Sequence, residues 1–179
     1  SLIEEARENV KDSKKKVKEL VDRLRKSVEE SRERVREVVR RLRESVDTSA
    51  DAVRKAGDSR ILEEAKRLVD TSRKKIDDLL REAEELVKRS ADKIKRLLEE
   101  ATKLVEKSRR DIEKLAKDGV TEAVKRLLEE NSKLLADVAD EARKLNEENE
   151  RLLREVEKKA KKLDDENRKL LEEVIETVR

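Results

Sequence analysis

Three asparagines recur at intervals of eighteen residues, Asn131, Asn149 and Asn167, and three serines do the same in the middle third of the chain, Ser72, Ser90 and Ser108. Side chains of these types support two kinds of chemistry. A serine hydroxyl attacks an electrophile when a neighbouring base takes its proton, and amides with hydroxyls build hydrogen-bond networks. The first requires a partner that is missing: there is no His, and helical phase turns Lys, Asp and Glu away from the stripe that carries the serines. The chain is therefore read as having no catalytic residues, and the network chemistry remains.

Other absences narrow the reading further. Phe, Trp, Tyr, Cys, Met, Pro and Gln are all missing. Without His and Cys the usual ligands of zinc, copper and iron are gone, and no acidic loop with a central Gly suggests calcium, so neither a metal nor any other cofactor is expected. A nucleic-acid partner is not expected either. The formal charge is only +3, and the successive thirds carry +4, +2 and −3. The basic runs Lys14-Lys15-Lys16 and Arg40-Arg41 are short, and no aromatic ring is available to stack on a base. No apolar run is long enough to span a bilayer, and the apolar arcs are narrow and interrupted by Ser and Asn, so no membrane partner is expected. The first residues, Ser1-Leu2-Ile3-Glu4-Glu5-Ala6, follow a helical pattern rather than that of a signal peptide, and the protein is expected to be soluble.

These side chains must be positioned by helices. Asp, Glu, Lys and Arg make up 53% of the 179 residues, more than a compact globule can keep wet, whereas a long thin bundle needs only a narrow apolar seam along each helix. Disorder is disfavoured, because 49 basic and 46 acidic residues nearly cancel while Leu, Val and Ile recur regularly. The two glycines, Gly57 and Gly119, divide the chain into thirds. Each is read as a turn at a helix C-terminus followed by a capping side chain, Ser59 in the first case and Thr121 in the second. The expected fold class is all-α: one elongated, antiparallel, up-down-up bundle over residues 1–179, with helices at about 2–56, 59–117 and 121–178. At ~1.5 Å per residue these helices make a rod about 85 Å long.

Each helix repeats every eighteen residues: Val17, Val35 and Val53 in the first, Ala65, Ala83 and Ala101 with Ile76, Ile94 and Ile112 in the second, Val138, Val156 and Val174 in the third. Five turns at 3.6 residues return the stripe to its own azimuth, so nearly straight helices are expected. The arc of about 120° per helix, taking ~100° per residue, suits a helix that touches two neighbours.

Register follows by counting. Ser108 lies eleven residues before Gly119 and Asn131 twelve after it, so a hairpin brings them level. Ser90 then meets Asn149, and Ser72 meets Asn167. Counting back from Gly57 adds Asn9, Ser27 and Ser45 from the edge of the first helix's arc. Three polar layers result: Asn9 with Ser108 and Asn131, Ser27 with Ser90 and Asn149, Ser45 with Ser72 and Asn167. Their expected role is to fix alignment, as a buried Asn does in coiled coils. For the Asn residues the reading is an interhelical network. For the Ser residues two readings stay open, that network or a bond back to the carbonyl four residues earlier. Ser13, Ser31 and Ser49 face Ala101, Ala83 and Ala65 by the same counting and are read as small layers that permit close approach. Asp164, at the edge of an arc where sister repeats have Leu128 and Asn146, is read as a solvated edge.

The shared eighteen-residue repeat, the two similar Gly turns, the polar layers at matching heights and the missing residue types together resemble de novo designed, single-chain, untwisted three-helix bundles with built-in hydrogen-bond layers. The resemblance covers the whole chain. It departs from the simplest designs in that its layers differ, with Asn9 where Ser27 and Ser45 stand in sister repeats. It implies no natural substrate and no natural location beyond the cytoplasm of an expression host. The implied function is that of a stable, monomeric scaffold needing no partner. The rival readings are a binding or assembly module that self-associates or docks a partner helix, and a natural tether.

Overall fold

A computed structural model describes residues 2–55, 61–116 and 121–178. They form α1 (Leu2–Lys55), α2 (Ile61–Leu115) and α3 (Glu122–Val178), with no strand among the described residues. The expected turns at Gly57 and Gly119 lie outside the described residues, as does Ser59. Helix formation over such lengths follows from strings of Ala, Leu, Glu, Lys and Arg without Pro. Acidic residues open each helix, Glu4 and Glu5, Glu63 and Glu64, and Glu122, while Arg54, Lys55 and Lys114 sit in the last turns of α1 and α2. Both placements complement the helix dipole. Thr121 caps α3: its Oγ1 accepts from the Val124 amide at 3.3 Å and its carbonyl from the Lys125 amide at 3.0 Å, which satisfies donors that the first turn leaves orphaned.

By their contacts the residues divide into two units, each taking a stretch of every helix. The first unit comprises Ser1–Glu30 and Arg89–Glu148. Its main core is Val17, Leu20, Leu24 and Val28 from α1, Ile94, Leu97, Ala101 and Val105 from α2, and Val138, Ala142 and Leu145 from α3. A smaller cluster joins Ala6 and Val10 to Ile112, Val124 and Leu127. Numbers rise together in α1 and α3 and fall in α2, so α2 is antiparallel to both. The ion pairs Lys14–Glu130 at 3.3 Å and Arg25–Glu141 at 2.8 Å keep the same offset between α1 and α3.

The second unit comprises Ser31–Lys88 and Asn149–Arg179. Its main core is Val35, Val38, Leu42 and Val46, with Ile76, Leu79, Ala83 and Val87, and Val156, Ala160 and Leu163. Each of these stands eighteen residues from a member of the first unit's main core, forward in α1 and α3 and backward in α2. The sequence repeat is thus a repeat of packing. A further cluster holds Val53, Ala65, Val69, Leu170 and Val174. Fully buried side chains such as Leu42 and Leu24 each contribute about 1.5–3 kcal/mol relative to exposure. These seams are what hold the polar residues at their heights.

Candidate functional site

The three helices lower five hydroxyl and amide side chains into two polar layers, one in each unit. In the first unit Ser108, only 5% exposed, stands between the other two members. Its hydroxyl donates to Asn9 Oδ1 at 2.5 Å and accepts from Asn131 Nδ2 at 2.9 Å. The result is a directed chain of bonds from α3 through α2 to α1. Asn131 is buried and Asn9 half-buried. In the second unit Asn167, fully buried, donates from Nδ2 to Ser72 Oγ at 3.0 Å. Ser45 is half-buried at the edge of α1 and makes no hydrogen bond among the described residues, because its side chain lacks the reach of Asn9. Ser90 and Asn149 are buried and engaged in polar interactions, and Ser27 is half-buried.

The open question about the serines has a divided outcome. Ser108 and Ser72 bond across helices. The bond back to the carbonyl four residues earlier is made by threonines instead: Thr71 to Arg67 and Thr102 to Leu98, both at 2.9 Å, and Thr177 to Glu173 at 2.8 Å. Ser31 also bonds across helices, but to backbone, donating to the Leu86 carbonyl of α2 at 3.4 Å, a reach that only close helix approach permits. Ser13 and Ser49 are buried with no partner for their hydroxyls, and the amide oxygens of Asn131 and Asn167 are likewise unpartnered. Each such group retains part of its desolvation cost.

Sequence reasoning missed the ion pairs that flank the seams. Asp164, expected to be a solvated edge, accepts from Arg73 Nε of α2 at 2.8 Å and also pairs with Arg168 at 3.4 Å. Arg41 pairs with Glu82 and Arg43 with Glu166, in each case between helices. Hydrogen bonding to Glu141 raises the already high pKa of Arg25, and bonding to Glu166 does the same for Arg43. Within helices, Arg40 bonded to Glu37 holds that carboxyl below the usual carboxylate range, and Arg67 does so for Glu64. The signal for the interhelical pairs is residue height, counted as for the polar layers, but with more than half the chain charged it selects no partner uniquely.

No described cluster of carboxylates is placed to hold a metal ion, and no described helix is long and apolar enough to cross a membrane. The acceptor of the Ser108 hydroxyl is an amide oxygen, which takes no proton. The arrangement can hold helices at fixed heights and exchange hydrogen bonds with a small polar group.

Comparison with known proteins agrees with this geometry. A solved structure titled "Computationally designed three helix bundle" covers 99% of this chain, and this chain covers 84% of that one, with a TM-score of 0.58 and 17% sequence identity. The chain is a three-helix bundle. At that identity the likeness is one of fold. No family model matches the bundle's sequence, and no curated protein is similar to it.

Proposed function

We propose that this bundle is a de novo designed structural scaffold: one self-contained domain, monomeric and highly stable, that serves by holding its shape and needs no substrate, cofactor or partner. The observation that carries the reading is the residue-for-residue duplication of the core at a spacing of eighteen, with polar pairs set at repeating heights between the clusters. Repetition of that kind specifies geometry, whereas a binding or catalytic surface is locally singular. In this reading the Ser and Asn layers set register. They tolerate one another and penalise displaced alignments that oppose an amide to Leu.

The test is size-exclusion chromatography with light scattering and small-angle X-ray scattering on one sample, detected by refractive index because the chain has no aromatic absorbance. The expected result is the 20.9 kDa monomer. Its maximum dimension should match the ~85 Å given by the rise of α3. A dimer or larger species would overturn the monomeric reading and move the function into assembly.

A further inference from the structure

Between α1 and α2 the two units carry the same cleft in two forms, and the difference points to a ligand. In the first unit the cleft lies beside Asn9, Asp12, Ser13, Lys16, Lys107 and Ser108 and has a volume of about 90 Å³. Moving thirty-six residues forward along α1 and back along α2 gives the second cleft, where Ser45, Thr48, Ser49, Ala52, Thr71 and Ser72 occupy those places. Four of the six pairs differ in residue type, and Ser45, Ala52 and Thr71 are smaller than Asn9, Lys16 and Lys107, although Lys75 stands where the first cleft has Asp111. The volume is accordingly about 500 Å³.

The chemistry of the two clefts differs in one bond. In the first, the Ser108 hydroxyl accepts from Asn131 and donates to the carboxamide oxygen of Asn9. In the second, the Ser72 hydroxyl accepts from Asn167 in the same way, yet Ser45 supplies no acceptor in place of Asn9. A second observation is independent of that comparison. Ser49 lines the second cleft, is only 5% exposed, and its hydroxyl has no partner. Two hydroxyls with unused capacity thus border a space that in the sister cleft is entered by an amide.

We propose that the α1–α2 cleft of the second unit is a binding site for a small neutral carboxamide. Its carbonyl oxygen accepts from Ser72, as Asn9 Oδ1 accepts from Ser108, and its NH2 group donates to Ser49. The buried hydroxyls favour a neutral ligand over a carboxylate. At the rim Arg41 is paired with Glu82, Glu44 with Arg40, and Lys75 is exposed to solvent, so the hydroxyls provide most of what a buried group would meet. They do not replace the water that a carboxylate gives up.

The probe is acetamide, titrated into the isotope-labelled full chain and followed by NMR. The expected result is a set of saturable shifts confined to Ser45, Ser49, Ser72 and their neighbours. Ser45→Asn places the missing amide in the cleft and should weaken acetamide binding roughly tenfold or more, equivalent to at least ~1.4 kcal/mol. Asn9→Ser should create a second set of saturable shifts, at Ser13 and Ser108. Circular dichroism checks that each variant is folded, and if Ser45→Asn does not fold, Asn9→Ser decides alone. Shifts that rise linearly and spread over both units, that persist unchanged in Ser45→Asn, or that acetate reproduces at the same concentration would overturn the proposal. These outcomes are independent of oligomeric state and leave the scaffold reading where light scattering puts it.

Discussion

Replacing Ser108 with Ala tests whether the polar layers carry energy or merely occupy space. The hydroxyl serves two neighbours, accepting from Asn131 Nδ2 at 2.9 Å and donating to Asn9 Oδ1 at 2.5 Å. Asn131 is 2% exposed and its Oδ1 already lacks a partner, so losing Ser108 leaves the entire amide unsatisfied. An orphaned buried donor costs about 1–3 kcal/mol. Asn9 is half-buried and turns to water, which limits its share to about 0.5–1 kcal/mol. Removing the serine's own desolvation offsets part of this, and the net expectation is a loss of about 2 kcal/mol. Asn131→Leu removes the awkward amide while leaving Ser108 bonded to Asn9, and should lie within about 1 kcal/mol of the parent. The double variant replaces both partners with apolar groups and should come close to neutral, giving a coupling of about 2 kcal/mol. The assay is guanidinium denaturation followed by circular dichroism, comparing midpoints at constant m-value. A Ser108→Ala variant within about 0.5 kcal/mol of the parent would refute the reasoning, because that is the range of substitutions touching nothing of consequence.

Three further outcomes follow from the geometry. Thr121→Ala removes the acceptor for the Val124 amide and should cost about 1 kcal/mol, with faster hydrogen exchange confined to the first turn of α3. Asp164→Ala removes the bridge between Arg73 and Arg168 and should cost about 0.5–1 kcal/mol. Measured by urea denaturation, because guanidinium chloride is itself a screening salt, that difference should shrink toward zero in 1 M salt, where the Debye length is about 3 Å. Glu37 and Glu64 titrate below the ordinary carboxylate range because Arg40 and Arg67 bond to their ionised forms. Their pairings therefore contribute above the unfolded carboxylate pKa and are lost as pH falls through the lower folded value. NMR titration of Arg40→Ala should move the Glu37 midpoint back up while leaving Glu64 unchanged.

The seams were legible because periodicity is a property of the chain itself: Val17, Leu20, Leu24 and Val28 declare one helix face before any partner is known. The pairings Ser108 with Asn131 and Ser72 with Asn167 were legible too, since an antiparallel hairpin leaves one count to make. Whether each polar atom finds a partner was not legible. That depends on side-chain reach: Asn9 and Ser45 hold equivalent positions, and only the longer one reaches the serine on α2. Ion pairs such as Arg43–Glu166 were hidden for the opposite reason, because the flanks offer every Arg several carboxylates at similar height. Asp164 illustrates both: its place at the edge of the arc was foreseeable, its half-burial against an arginine of α2 was not.

A strict repeat creates a difficulty of its own, and the details that break the repeat answer it. Sliding α3 by one turn, ~5.4 Å, moves Asn131 and Asn167 off their serines and orphans two buried amides at about 1–3 kcal/mol each. Sliding it by eighteen residues is harder to exclude, since Asn149 would then stand where Asn131 or Asn167 stood and the pattern would match again. That slide covers ~27 Å. Between Leu115 and Glu122 there are six residues, which reach no more than about 20 Å when extended, so the helices would have to unravel at their ends. The slide also places Asn146 opposite Arg73 in place of Asp164 and forfeits that ion pair. Short slips are thus opposed by the polar layers, and repeat-length slips by chain connectivity and by the positions where the repeat is imperfect.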